Sequence, residues 1–443
     1  MTEYKLVLGL EVHIHLKTET KMFCGCDSNI YEAEPNTHVC PVCLGLPGAL
    51  PVPNFEAIKK TQVLGLALGS TLNKESRFDR KHYFYPDLPK GFQISQYKQP
   101  LCEGGEIELD SGNKVSLERI HLEEDTAKSF HENGRTLIDF NKSGMPLVEI
   151  VTKPVFKTVG ESVEFCKKIQ DLIITLGIGD ADMEKGQMRL EANISLRTQE
   201  MEYNDILPDY KVEIKNINSF RFMEKAIIAE IKRQTEILQK GNVVNQENRG
   251  WDERSGTTVS QRVKEEAHDY RYFPEPDIPL LYFDEKHIEE LKNSLPELPQ
   301  QKKTRLMTRY GLTANIATIL STGYSFGLLK KFEGFVESGL DPVKTANILI
   351  NKKESRDMSF EEFEKLLNVS TNRIINEKNL KNYLEEVVKN NRNIINDIKG
   401  GKLSAIEFLV GQVMKNTKGQ ADPVKVRELL KSEINKKFNT AID

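Results

Sequence analysis

Between residues 6 and 16 every even position is apolar (Leu6, Leu8, Leu10, Val12, Ile14, Leu16), while the odd positions end in Glu11, His13 and His15. A period of two predicts a strand with one buried face, and it sets Glu11 and His13 side by side on the other. The design recurs. Met188, Leu190, Ala192, Ile194 and Leu196 alternate with Arg189, Glu191, Asn193, Ser195 and Arg197, and Val212 and Ile214 alternate with Lys211, Glu213 and Lys215. His121-Leu122-Glu123-Glu124-Asp125 places three carboxylates after a short strand, and Leu147–Val151 sets Glu149 among apolar neighbours, where a lone charge is costly without a cation. Two amphipathic helices are signalled between these strands. One is capped by Thr158 and Glu161, carries Phe165, Ile169, Leu172, Ile173 and Leu176, and stops at Gly177. The other is capped by Ser219, carries Met223, Ile227, Ile231 and Leu238, and stops at Gly241. Apolar helix stripes beside one-sided strands predict an α+β layer.

The strand-rich pattern ends at a proline-dense stretch, Tyr270-Arg271-Tyr272-Phe273-Pro274-Glu275-Pro276-Asp277 with Pro279, and from 294 onward the chain reads as helix. The main boundary is expected near 290. A second shift follows at 370–400, where Asn and Lys accumulate up to Gly400-Gly401-Lys402. The expected domains are 1–293, 294–375 and 376–443.

Charge sharpens that division. The 443 residues carry 62 Lys+Arg and 66 Asp+Glu, a net of −4. Residues 371–443 hold 14 Lys+Arg against 9 Asp+Glu, net +5, which leaves −9 for the remainder. A basic tail beside an acidic body suits contact with a polyanion, and equally suits a solvated Lys-rich helical end. With 38% hydrophobic and 29% charged residues the composition is that of a globular protein, and no apolar run reaches the ~18 residues of a spanning helix. The first residues enter strand alternation at once, so no signal or transit peptide and a cytoplasmic location are expected.

Four of the 6 cysteines fall as Cys24-Gly-Cys26 and Cys40-Pro-Val-Cys43. Two close pairs can deliver four thiolates to a tetrahedral Zn²⁺, with buried or redox cysteines as the competing reading. Cys102 and Cys166 are isolated and read as plain core or surface residues. For the strands, carboxylates with an occasional His suit Mg²⁺ carrying nucleotide phosphates, and nearby Lys and Arg suit the phosphates. Taken singly, each strand is equally an amphipathic strand with a solvent face. No Walker loop and no GxGxxG turn occur, so any ATP binds by other means.

Several longer motifs are distinctive: Gly9-Leu10-Glu11-Val12-His13, Arg80-Lys81-His82-Tyr83-Phe84-Tyr85-Pro86-Asp87, Gln93-Ile94-Ser95-Gln96, His121–Asp125, Pro146–Val151, Ala192–Arg197, Asp269–Asp277, Phe408–Lys415 and Thr417–Ala421. In order, and over nearly the whole chain, they resemble the B subunit of the glutamyl/aspartyl-tRNA amidotransferases. The resemblance implies an N-terminal antiparallel-sheet cradle related to the glutamine synthetase/guanido kinase fold, an all-α helical domain and a small YqeY-like tail that binds tRNA. It implies an ATP-dependent ligase acting on misacylated Glu-tRNA(Gln) or Asp-tRNA(Asn). The implied assembly is a heterotrimer with an amidase A subunit, which supplies ammonia through a channel, and a small C subunit. Glu11, His13 and Glu124 match the family's metal-binding and catalytic positions. Glu149 and Glu191 are further Mg²⁺ candidates, the latter standing where the family usually has Asp. Lys81, Lys90 and Arg189 are candidate phosphate contacts. Cys24, Cys26, Cys40 and Cys43 match the family's zinc-bearing branch. His15 stands where Glu or Gln is commoner and is left out of the site. The stretch at 340–400 looks shortened. A zinc-bearing tRNA-binding scaffold without catalysis is the alternative, and retention of Glu11, His13 and Glu124 argues against it.

Overall fold

The computed structural model describes residues 3–263, 270–371, 377–399, 405–417, 421 and 423–438. Asp269, Gly400-Gly401-Lys402 and residues 418–420 of the sequence motifs lie outside them.

A ten-stranded sheet organises the N-terminal part. Its path runs Thr257–Val263, Glu247–Asp252, Val212–Ile217, Met188–Thr198, Tyr4–His15, Pro146–Thr152, Lys114–Glu124, Cys102–Glu103, Thr71–Leu72, with Glu106–Glu108 paired on Lys114–Glu124. Tyr4–His15 sits at the centre, antiparallel to both neighbours. The sheet is mixed rather than wholly antiparallel: Val212–Ile217 pairs Glu247–Asp252 in parallel. The cause is the helix Phe220–Gln239 between them, a crossover that returns the chain in the same direction, which a hairpin cannot do.

The apolar face of the sheet carries the core. Leu8, Leu10, Val12, Ile14, Ile150, Leu190, Ala192 and Ile194 are all buried in one cluster with Phe165 and Ile169 of helix Val159–Thr175 and Met223 and Ile227 of helix Phe220–Gln239. Both helices start as their caps predict: Thr158 Oγ1 accepts from the Glu161 amide at 3.2 Å, and Ser219 Oγ from the Phe222 amide at 3.1 Å. Gly177 and Gly241 follow the two helix ends at φ +65 and +75, the left-handed conformation that stops a helix. Cys102 and Cys166 are fully buried core residues.

By compactness, Met1–Arg305 and Leu320–Phe326 form one unit, and Leu306–Ile319 with Gly327–Asp443 form the other. All described elements of the second unit are helical. Helices Glu377–Asn390, Arg392–Lys399, Ile406–Asn416 and Pro423–Phe438 bury Leu384, Val388, Ile395, Leu409, Val413, Leu430 and Ile434 in a core of their own. Among the described residues no helix is long and apolar enough to cross a membrane.

Candidate active site

Strand register builds the site. On the polar face of the sheet, His13 stands opposite Arg189 on one side and Glu149 on the other, and Glu149 stands opposite His121. Glu11 stands opposite Glu191. One row of side chains thus crosses four strands, a placement that period-two alternation in each strand makes automatic.

His13 is the centre of this face. Its Nδ1 lies 3.7 Å from Glu123 Oε1 and 3.9 Å from Glu149 Oε2, and its Nε2 lies 3.8 Å from Glu191 Oε1. Neither ring nitrogen has a hydrogen-bond partner, although both are buried. Separations near 4 Å are too long for hydrogen bonds, but they are the spans between ligands of one cation, roughly 3–4 Å when each bond is ~2.1 Å. Two triads share the ring: Glu11, His13 and Glu191, and His13, Glu123 and Glu149. The donor set, hard oxygens around one imidazole whose nitrogens are buried and unpartnered, fits a divalent cation.

The electrostatics agree. Burial works to lower His13, but Glu149, Glu123 and Glu191 outweigh it and lift the ring to about 9. Burial, then Glu149, Glu191 and Glu213, push Glu11 up. Glu149 goes the other way, because His121, with Nε2 at 3.2 Å, and His13 overcome its burial and hold it well below the usual range. The face therefore carries more carboxylates than its imidazoles can neutralise.

Cations rim the same cavity, which has a volume of about 330 Å³. Lys81 lies 5.1 Å above the Tyr270 ring; burial opposes its charge, yet Glu123, Tyr272 and Glu149 hold it well above the usual lysine range. Lys215 bonds Glu191 at 2.6 Å and Glu213 at 2.9 Å. Arg189 donates to Asp125 Oδ2 at 2.9 Å and keeps a buried Nε without a partner. Asp125 is a hub, since its Oδ2 also meets Lys142 at 2.8 Å and His15 Nε2 at 2.5 Å. Burial opposes its charge, but Arg189, Lys142 and His15 hold it well below the usual range. Tyr83, Tyr270 and Tyr272 complete the wall; burial raises Tyr272 to about 12, so its hydroxyl keeps its proton at neutral pH. A second cavity, of about 320 Å³ and including Val7, Gly9 and Pro208, meets the first at Glu11 and Lys211.

Of the residues singled out in the sequence, Glu11, His13, Glu149, Glu191, Lys81 and Arg189 are brought together here. Glu124 and Lys90 are not. The strand Lys114–Glu124 runs through the first two carboxylates of the 121–125 segment instead of ending before them, so Glu123 joins His121 on the polar face and Glu124 turns to the opposite one. There Glu124 accepts from the Ile94 amide at 2.9 Å and from Lys90 Nζ at 2.7 Å. Glu123, Asp125, His15 and Lys215 are the residues that sequence reasoning passed over. Only the parity of the 121–125 run pointed to Glu123.

The cysteines form a second centre. The Sγ atoms of Cys24, Cys26, Cys40 and Cys43 lie within 4.8 Å of one another, and Cys40 and Cys43 are 3.9 Å apart, close to the ~3.8 Å edge of a tetrahedron with 2.3 Å Zn–S bonds. A hydrogen bond from Cys24, helped by the Cys40 amide and Lys21, outweighs burial and brings Cys43 to about 4, the thiolate that a metal requires.

A family model described as the GatB/GatE catalytic domain matches residues 6–289, almost the whole sheet, and a second, described as the GatB domain, matches 359–434. The second spans the whole Asn/Lys-rich stretch at 370–400. The B subunit of the aspartyl/glutamyl-tRNA(Asn/Gln) amidotransferase of Roseiflexus sp. (strain RS-1) is 41% identical across 98% of this chain and 98% of its own. The proteins of the same name from Thermodesulfovibrio yellowstonii, 42% identical over 97% of this chain and 98% of theirs, and from Thermus thermophilus, 42% over 96% and 98%, are similar at the same level. With both family models matched and relatives aligned end to end, this chain belongs to the B-subunit family of aspartyl/glutamyl-tRNA(Asn/Gln) amidotransferases.

Proposed function

We propose that this chain carries out the ATP-dependent transamidation of misacylated Glu-tRNA(Gln), Asp-tRNA(Asn) or both. The observation that carries the reading is His13, with two unpartnered buried nitrogens, set among Glu11, Glu123, Glu149 and Glu191 and rimmed by Lys81, Arg189, Lys211 and Lys215. A side-chain carboxylate is a poor electrophile. Phosphorylation corrects this: a carboxylate oxygen attacks the γ-phosphorus, ADP leaves, ammonia then attacks the acyl carbon, and inorganic phosphate departs. Attack of an anion on a polyanion requires positive charge close by. Lys81, Arg189 and Lys215 supply it from the cavity rim, and Asp125 fixes the Arg189 guanidinium and Lys142 in place. Glu11, His13, Glu123, Glu149 and Glu191 would hold Mg²⁺, which when bound supplies further neutralisation of the phosphates. The Tyr83 and Tyr272 hydroxyls, kept protonated by burial, can donate hydrogen bonds into the cavity.

The same reading assigns the cradle to 1–293, with its glutamine synthetase/guanido kinase-like ancestry, a helical domain to 294–375 and a YqeY-like tRNA-binding tail to 376–443. It places the chain in the cytoplasm, in a heterotrimer whose amidase A subunit releases ammonia from glutamine into an internal channel and whose small C subunit joins the two. Cys24, Cys26, Cys40 and Cys43 hold a structural zinc. The test is reconstitution with the amidase partner, Glu-tRNA(Gln) or Asp-tRNA(Asn), glutamine and Mg-ATP. Amidated tRNA should appear with one ADP per product. A complex that binds tRNA yet forms neither ADP nor product would show the chain to be a scaffold.

A further inference from the structure

Lys21 directly follows Thr20, which bridges to Asp27, and has no solvent exposure at all. A buried ammonium is costly unless an anion and hydrogen-bond acceptors replace its water. Its Nζ donates to the Ser143 carbonyl at 2.8 Å and the Phe140 carbonyl at 3.3 Å, and it lies 3.8 Å from Cys43 Sγ. Among the described residues no carboxylate is within ion-pair distance of it. The cysteine cluster is thus the anionic partner within its reach.

The charge on the other side needs it. Four thiolates around Zn²⁺ leave a net charge of −2, and Cys43, 3% exposed, is the most deeply buried of them. Solvent can screen the outer cysteines but not Cys43. The surroundings are built to bring the ammonium there. Gly144, at φ +82, lets its backbone pass close to Cys43: a Cβ there would sit 3.4 Å from Cys43 Cβ and 3.7 Å from Lys21 Cδ. The Met22 amide donates to Gly144 O at 2.8 Å, and Ser143 Oγ to Cys43 O at 3.2 Å. The turn that receives Lys21 also carries Lys142, whose Nζ reaches Asp125 in the cavity.

We propose that Lys21 is the counter-cation of the tetrathiolate centre: its ammonium offsets thiolate charge at Cys43 and sets how tightly the metal is held. It acts through the cysteines and is a positioning residue. The inference rests on the zinc reading of the cluster, and the experiment separates the two. Zinc affinity of the full chain is measured by competition with a chromophoric chelator for the wild type, Lys21→Gln, which keeps a donor for the Ser143 carbonyl without the charge, and Lys21→Arg, which keeps the charge. Lys21→Gln should bind zinc about 10- to 100-fold more weakly, the usual effect of losing an outer partner of a metal ligand, and Lys21→Arg should stay near the wild type. Melting of the metal-free proteins should differ far less than melting of the zinc forms. A wild type without stoichiometric zinc defeats the zinc reading itself. A zinc-loaded wild type with Lys21→Gln equal to it overturns the counter-cation, as does equal loss of stability with and without metal. Should Lys21→Gln fail to fold, refolding in raised zinc decides: recovery supports the proposal and no recovery overturns it.

Discussion

Glu123→Gln separates charge from shape at the site. Glu123 is buried, its Oε2 accepts from Ser95 Oγ at 3.0 Å, and its Oε1 lies 3.7 Å from His13 Nδ1. Glutamine has nearly the same volume and retains a carbonyl for Ser95, so the core is left intact. What is lost is one negative charge facing His13 and the ion that the two triads would hold. At an effective dielectric of about 20, unit charges ~4 Å apart interact by roughly 4 kcal/mol. Allowing about half of that for the desolvation recovered on removing the charge leaves roughly 2 kcal/mol, or about 30-fold in rate. The assay is ADP formation in the reconstituted complex with ammonium chloride as nitrogen donor, so that the amidase is not required. Thermal unfolding and tRNA binding should match the wild type while ADP formation falls by that factor. ADP formation within a factor of about three of the wild type, with unchanged Mg²⁺ dependence, would refute the assignment of Glu123 to the working face.

Further outcomes follow from the same geometry. Cys40→Ser should abolish stoichiometric zinc in metal analysis and lower the melting temperature, whereas an unaltered metal content would remove Cys40 from the centre. Glu230 is fully buried and accepts from Arg233 at 2.7 Å, Gln234 at 2.9 Å and Thr258 at 2.7 Å. Glu230→Ala leaves these donors facing nothing and should cost about 3–5 kcal/mol. With an unfolding entropy of roughly 2.1 cal/mol/K per residue over a unit of about 310 residues, calorimetry should record a drop of roughly 5–8 °C. Truncation after residue 375 should weaken tRNA binding and flatten the slope of log K against log salt; a slope identical to that of the full chain would move the tRNA contact elsewhere.

Much of the site was legible because it rests on strands. Alternation alone set Glu11 and His13 on one face and placed Glu191 and Glu149 on strands of the same kind, and pairing then brought all four together. The cysteines were legible from spacing, since two short turns have few other uses for four thiols. Other parts were hidden for physical reasons. Glu123 and Glu124 differ only in parity, and parity cannot be counted without knowing where the strand ends. Asp125, Lys142 and His15 converge from separate segments, His15 from over a hundred residues away, and no local pattern records such convergence. Lys21 looks like any surface lysine until its burial is seen. The parallel strand pair followed from a helix that the sequence did signal, but the weak strand Glu247–Asp252 after it carries no clear alternation.

The central claim is that His13 and the carboxylates around it hold a divalent cation. Mn²⁺ can replace Mg²⁺ in such oxygen-rich sites and is visible by electron paramagnetic resonance. Mn²⁺ added to the purified chain should bind stoichiometrically and show a nitrogen coupling from one imidazole, and His13→Gln should abolish that coupling while the protein stays folded. Mn²⁺ that does not bind, or a nitrogen coupling that survives His13→Gln, would contradict the account.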